Sequence, residues 1–195
     1  MQVTWSGLLD DIRRCTSCAL HEGRTNSVPG EGNPNSDILF IGEGPGAEED
    51  RLGRPFVGAA GRLLDSMLEA LFLKREDVYI ANIVKCRPPG NRVPSEEEAN
   101  ICLPYLRAQV ALIKPRIMVC LGATPSKYII GPEIKITQDR GKWIERKGFF
   151  IMPTFHPAAL LRDPRKKTDA WEDMKMVKQK LLELRGEYAE AGGQD

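Results

Sequence analysis

The chain has 195 residues, 42% of them hydrophobic and 28% charged, which fits one globular domain with a core of its own. Its 28 Lys and Arg against 27 Asp and Glu leave a net charge of +1, which excludes a polyanion binder driven by bulk charge but not a local basic face. Val, Ile, Leu and aromatic residues recur throughout, so disorder is excluded, and no apolar run approaches the ~18 residues that a membrane span needs.

The opening MQVTWSGLLDDIRRC has acids inside its only apolar stretch and no small-residue cleavage pattern, so no signal peptide is read and the chain is expected to be cytoplasmic. Leu8–Arg14 is an amphipathic helix with Ser6 as its N-cap. Asp37–Gly42 (DILFIG) is a continuous apolar run entering glycines, the pattern of a strand buried on both faces. Gly58–Phe72 carries Leu63, Leu64, Met67, Leu68 and Leu71 at helical spacing, and Val78–Val84 is a second buried strand. Ser95 and Glu98 form a capping box that opens the next helix, and Pro104 is expected to break that helix near Leu103, with a restart running to about Ile113. Arg116–Leu121 is a third strand, followed by a short helix to Ile130. Ile134–Phe155 reads as further strands with Lys147-Gly148 as a turn, Asp169–Arg185 as a closing helix, and the tail after 186 as frayed.

Strands that alternate with helices predict an α/β fold: a mostly parallel sheet of about four strands with helices on both faces, forming a single domain over 1–195. Ligands of such sheets bind outside the carboxyl ends of the strands. Four strand ends therefore deliver their loops to one rim. The first brings Glu43, Gly44 and Pro45, with Phe56 later in the same loop; the second brings Asn82; the third Leu121-Gly122-Ala123-Thr124; the last His156, one of only two histidines. Taken singly each has a plain reading. The glycine loop is neither GxGxxG nor a Walker motif, Glu43 suits a helix cap, and Phe56 and His156 suit a core. Asn82 is harder to dismiss, because a buried amide must satisfy up to four hydrogen-bonding positions.

Five cysteines in a reducing compartment need another explanation than disulfides. Cys15 and Cys18 form a CxxC, 67 residues separate Cys18 from Cys86, and 15 separate Cys86 from Cys102. Four thiolates suit a [4Fe–4S] cluster or a structural zinc, which would pin the N-terminal arm (1–36) onto the body. Cys120, mid-strand, reads as a small core residue. Nine basic and three acidic residues give Lys135–Lys167, which contains the His156 loop, a local +6. A basic rim beside an aromatic and amide pocket is what a phosphate-backbone reader with a base pocket requires.

Together the CxxC, GEGPGAEED, GRPFVG, NIVKCRPPGNR, the Cys102 spacing, LGA, RGKW and TFHPAALLR resemble the iron–sulfur uracil-DNA glycosylases called family 4, from Cys15 to about Arg165. Ala47 and Ala158-Ala159 depart from that pattern, which is more acidic at the first position and carries Ser and an aromatic at the second pair. The resemblance implies a three-layer α-β-α sandwich and a monofunctional enzyme. It would flip uracil out of single- or double-stranded DNA, hydrolyse its N-glycosidic bond and leave an abasic site for base excision repair. It also implies roles residue by residue. Phe56 would stack on uracil, Asn82 would pair with its N3–H and O4, and the backbone of Glu43, Gly44 and Pro45 would line the pocket. His156 would donate to O2, Glu43 would position the attacking water or offset positive charge, and Glu49 would crowd C5 against thymine. Leu160 or Leu161 would wedge into the minor groove with Arg162 near phosphate. Cys15, Cys18, Cys86 and Cys102 would hold a structural [4Fe–4S] cluster, zinc being the alternative, in a monomer. The alternatives are a broader-range base glycosylase and a non-catalytic binder of damaged DNA.

Overall fold

The computed structural model describes residues 4–186; the tail after 186, read as frayed, lies outside them. In chain order the elements are α1 (Trp5–Arg14), α2 (Leu20–Gly23), β1 (Glu31–Gly32), β2 (Ile38–Gly42), α3 (Ala47–Leu52), α4 (Ala59–Glu69), β3 (Tyr79–Asn82) and α5 (Glu96–Ile113). Next come β4 (Ile117–Leu121), α6 (Ala123–Ile129), α7 (Ile136–Asp139), β5 (Ile144–Arg146), β6 (Phe149–Thr154), α8 (Pro157–Arg162) and α9 (Lys167–Arg185).

The strands form one sheet in the order β1-β3-β2-β4-β6-β5. The four inner strands are parallel, as the apolar runs predict, and β1 and β5 are added as short antiparallel edges, so the sheet has six strands rather than four. β5 falls within the strands read over Ile134–Phe155 and pairs with β6 across the Lys147-Gly148 turn, whereas the two-residue β1 is too brief to give an alternating pattern.

Side chains alternate across the inner strands and build a core on each face. Leu39, Ile41, Ala81, Met118 and Cys120 pack with Ala99, Leu103 and Leu106 of α5. Phe40, Ile80, Val119 and Met152 pack with Leu64 and Leu68 of α4 and with Met174, Val177 and Leu181 of α9. Helix, sheet and helix thus make the three-layer sandwich. Among the described residues no helix is long and apolar enough to cross a membrane.

Three local expectations are corrected. α1 starts at Trp5, and its cap is Thr4, whose hydroxyl accepts the Gly7 N–H at 3.2 Å, rather than Ser6. Pro104 does not end its helix: α5 runs unbroken to Ile113. Pro104 and Asn100 lie on the exposed face, where water can take the carbonyl that the proline leaves without an N–H. The buried face of α5 keeps Ala99, Cys102, Leu103, Leu106, Gln109 and Ile113, enough packing to outweigh the roughly 3 kcal/mol that an internal proline costs. Ile136–Asp139, read as strand, is the short helix α7. The Ser95–Glu98 capping box forms as expected, with bonds of 3.1 and 2.7 Å.

The register aligns the strand ends. Gly42 pairs with Asn82 and Leu121 with Thr154, so the loops after all four parallel strands leave the sheet at one rim.

Candidate active site

That rim opens into a cavity of about 730 Å³, within the range of small-ligand sites. Glu43, Gly44, Pro45, Phe56, Asn82, His156 and Arg162 all line it, so the residues that the four loops carry do converge. Its floor is tight at Gly42: a Cβ there would fall 2.3 Å from Asn82 Oδ1 and 2.7 Å from the Phe56 ring, so only glycine lets amide and ring press together on the strand end.

Asn82 ends β3 and is 1% exposed. Its backbone carbonyl accepts from Lys85 Nζ at 2.8 Å, and that ammonium also donates to Gln109 Oε1 at 2.7 Å. Burial pushes the Lys85 amine down to about 8. Asn82 Oδ1, by contrast, is buried with no hydrogen-bond partner among the described residues.

Phe56 is 5% exposed, its ring 5.5 Å from the His156 ring and tilted 30° to it. His156 caps α8: its Nδ1 accepts the Ala158 N–H at 3.1 Å. An Nδ1 that accepts carries no proton, so the neutral ring bears its hydrogen on Nε2. Burial first, then the Arg162 cation, pushes His156 down to about 4, against a weaker upward pull from Glu49, so the ring is neutral at pH 7.

Thr124 Oγ1, at the start of α6, donates to Glu43 Oε2. Thr124 is visible in the sequence at a strand end, but nothing there links it to a carboxylate 81 positions away. Glu49 also lines the cavity, and its carboxylate accepts the backbone N–H groups of Gly46 (3.1 Å), Val57 (2.9 Å) and Gly58 (2.8 Å), tying the two halves of the long loop together. That geometry makes it a clamp on the loop at the cavity wall.

At the rim, Leu160 is 1% exposed and packs with Phe155 and Ala170, whereas Leu161 is 44% exposed. Of the two leucines expected as alternatives, Leu160 is held in the core and Leu161 is the one that projects. Arg162 follows it at the cavity mouth. Two ion pairs of the basic segment, Lys142 with Asp139 at 3.0 Å and Arg165 with Asp163 at 2.9 Å, use acids already counted in its +6, while Arg140 is also neutralised from outside the segment by Asp173 at 2.6 Å.

Cys15, Cys18, Cys86 and Cys102 line one small cavity between the N-terminal arm and the body. Among the described residues no three His, Cys, Asp or Glu side chains converge closely enough to hold a single metal ion. Arg24 Nη1 donates to Cys86 Sγ at 3.1 Å and the Lys85 N–H to Cys102 Sγ at 3.3 Å. N–H donors aimed at sulfur suit ligating thiolates, and four thiols on one cavity suit an iron–sulfur cluster; His21 lines the same cavity, its Nδ1 2.8 Å from the Cys18 carbonyl oxygen. Cys120 is fully buried in β4, apart from this group.

A family model of the uracil DNA glycosylase superfamily matches residues 29–175. The type-4 uracil-DNA glycosylase of Thermotoga maritima is 51% identical over 154 residues, 78% of this chain and 80% of its own length. That of Sulfurisphaera tokodaii is 46% identical over 179 residues, 87% and 81% of the two chains. The chain belongs to the type-4 uracil-DNA glycosylases. A type-5 uracil-DNA glycosylase of Pyrobaculum aerophilum is more distant, 30% identical over 177 residues, 81% of this chain and 76% of that one. The matched residues 29–175 contain the whole rim, from Glu43 to Arg162, but begin after the CxxC at Cys15 and Cys18.

Proposed function

We propose that this protein hydrolyses the bond between uracil and deoxyribose in DNA and leaves an abasic site. One observation carries the assignment of the pocket: the unpartnered, buried Asn82 Oδ1 beside the Phe56 ring. An orphaned buried acceptor is costly unless a ligand completes it. Uracil does so with N3–H, while the amide NH₂ gives to O4. Cytosine presents an acceptor at N3 and a donor at N4 and leaves both positions mispaired.

A duplex hides the reacting atom, so the nucleotide must be extruded into the cavity, with Leu161 as the apolar wedge and Arg162 toward phosphate. Phe56 then stacks on the ring. As the N1–C1′ bond breaks, its electron pair stays on uracil, and negative charge grows at O2, where His156 Nε2–H donates to it. Glu43, its carboxylate held by Thr124, orients the water that adds to C1′ or opposes the positive charge of the oxocarbenium sugar. Among the described residues no lysine lines the cavity, which supports simple hydrolysis over an amine nucleophile that would cleave the strand.

The test is excision from oligonucleotides bearing uracil, thymine opposite guanine, or hypoxanthine, read as alkali-labile sites. Uracil is expected to be removed well ahead of the other two. Comparable removal of thymine would overturn the narrow assignment, and tight binding without any product would favour a damage binder.

Cys15, Cys18, Cys86 and Cys102 would hold a [4Fe–4S] cluster, which when bound supplies a cross-link between arm and body rather than electrons. Cys86→Ser is therefore expected to lose iron and visible colour, to melt earlier, and to expose the N-terminal arm to protease. Metal analysis, melting and limited proteolysis check these; zinc in place of iron, or an arm equally protected without metal, would overturn the cluster assignment.

A further inference from the structure

We propose that Arg75 is a positioning residue that holds the Phe56 ring in its stacking pose; the inference rests on the assignment of Phe56 as the platform for uracil. Phe56 has φ 51°, in the left-handed region where a bulky side chain is strained. Of the non-glycine residues there (Phe56, Phe72, Asn91, Lys114 and Lys147), Phe56 alone is buried among the described residues; the rest are exposed. Strain at a buried site persists only where the surroundings enforce it.

Two features enforce it. The Arg75 guanidinium bonds two successive carbonyls: Nη1 donates to Phe56 O at 3.1 Å and Nη2 to Pro55 O. Two carboxylates aim that fork, Glu31 at 3.3 Å from Nε and Asp65 at 2.8 Å from Nη1. The second feature is Gly61 in α4, where a Cβ would fall 1.9 Å from the Phe56 carbonyl oxygen, so the helix admits the strained turn only as glycine. Both carbonyls reach one planar fork only while the turn keeps this conformation, and releasing them lets the ring leave its place over Asn82 and His156. Arg75 is absent from the lining of the cavity, so it acts through Phe56. A lysine would keep the positive charge beside Glu31 and Asp65 but could not bond both carbonyls in one plane.

Arg75→Lys is expected to lower single-turnover uracil excision by on the order of a hundredfold. It should weaken binding of free uracil about tenfold while leaving the affinity for undamaged DNA and the melting temperature close to the parent values. In a Phe56→Ala background the same change is expected to alter excision less than about threefold, because the ring it positions is gone. Losses that instead multiply would overturn the proposal for Arg75 alone. A Phe56→Ala protein with unchanged excision would overturn the stacking assignment itself. Should Arg75→Lys melt early, Asp65→Asn, which removes one carboxylate that aims the fork, takes its place in the same cycle with the same expected non-additivity.

Discussion

Asn82→Ala is expected to lower single-turnover excision of uracil by on the order of a thousandfold, from two hydrogen bonds worth about 1–3 kcal/mol each in a water-poor pocket. The size follows from burial. Asn82 is 1% exposed, its backbone is fixed by Lys85, and Oδ1 has no other partner to fall back on, so the amide meets the base without reorganising. The same variant is expected to bind undamaged DNA almost as the parent does, with the same salt dependence. In the proposed mode phosphate is met by Arg162 at the cavity mouth, apart from the amide that reads the base. Its stability should hold or rise slightly, since removing a buried unpartnered oxygen removes a desolvation penalty while leaving only a small void. Single-turnover excision, salt-dependent binding and a melting curve check the three parts. An equal fall in non-specific DNA binding would mean that Asn82 shapes the whole surface rather than reading the base.

Much of this site is legible in the sequence because the α/β rule converts strand ends into a place. DILFIG, VYIANIV, RIMVCL and FFIMPT are apolar enough to be recognised as strands, and the loops that leave their carboxyl ends have to meet at one rim. Glu43, Phe56, Asn82 and His156 do meet there. Pairings between distant side chains are not legible. Thr124 with Glu43, Glu49 with the Val57 and Gly58 amides, and Arg75 with the Pro55 and Phe56 carbonyls depend on how loops fold back, and periodicity carries no such information. α3 is hidden for a related reason: AEEDRL is polar and short, and the Glu49 clamp and the buried Asp50 that help to hold it are tertiary. Leu160 and Leu161 cannot be told apart while TFHPAALLR reads as loop. Once α8 forms, one of the two turns inward and the other outward.

His156→Ala is expected to slow the chemical step by roughly tenfold to a thousandfold, because one donor to a developing oxyanion is removed. The pH dependence identifies the donor form. Nδ1 accepts from Ala158 and the folded ring titrates only near 4, well below the ordinary 6.5, so between pH 5 and 8 the neutral Nε2–H is the donor throughout. The ratio of parent to His156→Ala single-turnover rates should therefore stay flat across that window. Were imidazolium the donor, the ratio would collapse above about pH 6.5, the titration range of an unperturbed histidine. Stability carries the matching sign. In the unfolded chain the ring takes a proton near 6.5 and in the folded protein only near 4, so the folded state is favoured least at low pH. The contribution of the neutral ring is complete above about pH 6.5 and is lost as pH falls toward 4, so the melting temperature of the parent should decline more steeply through that interval than that of His156→Ala. Parallel declines would mean that the ring is protonated in the folded protein, and the neutral-donor mechanism would fall with it.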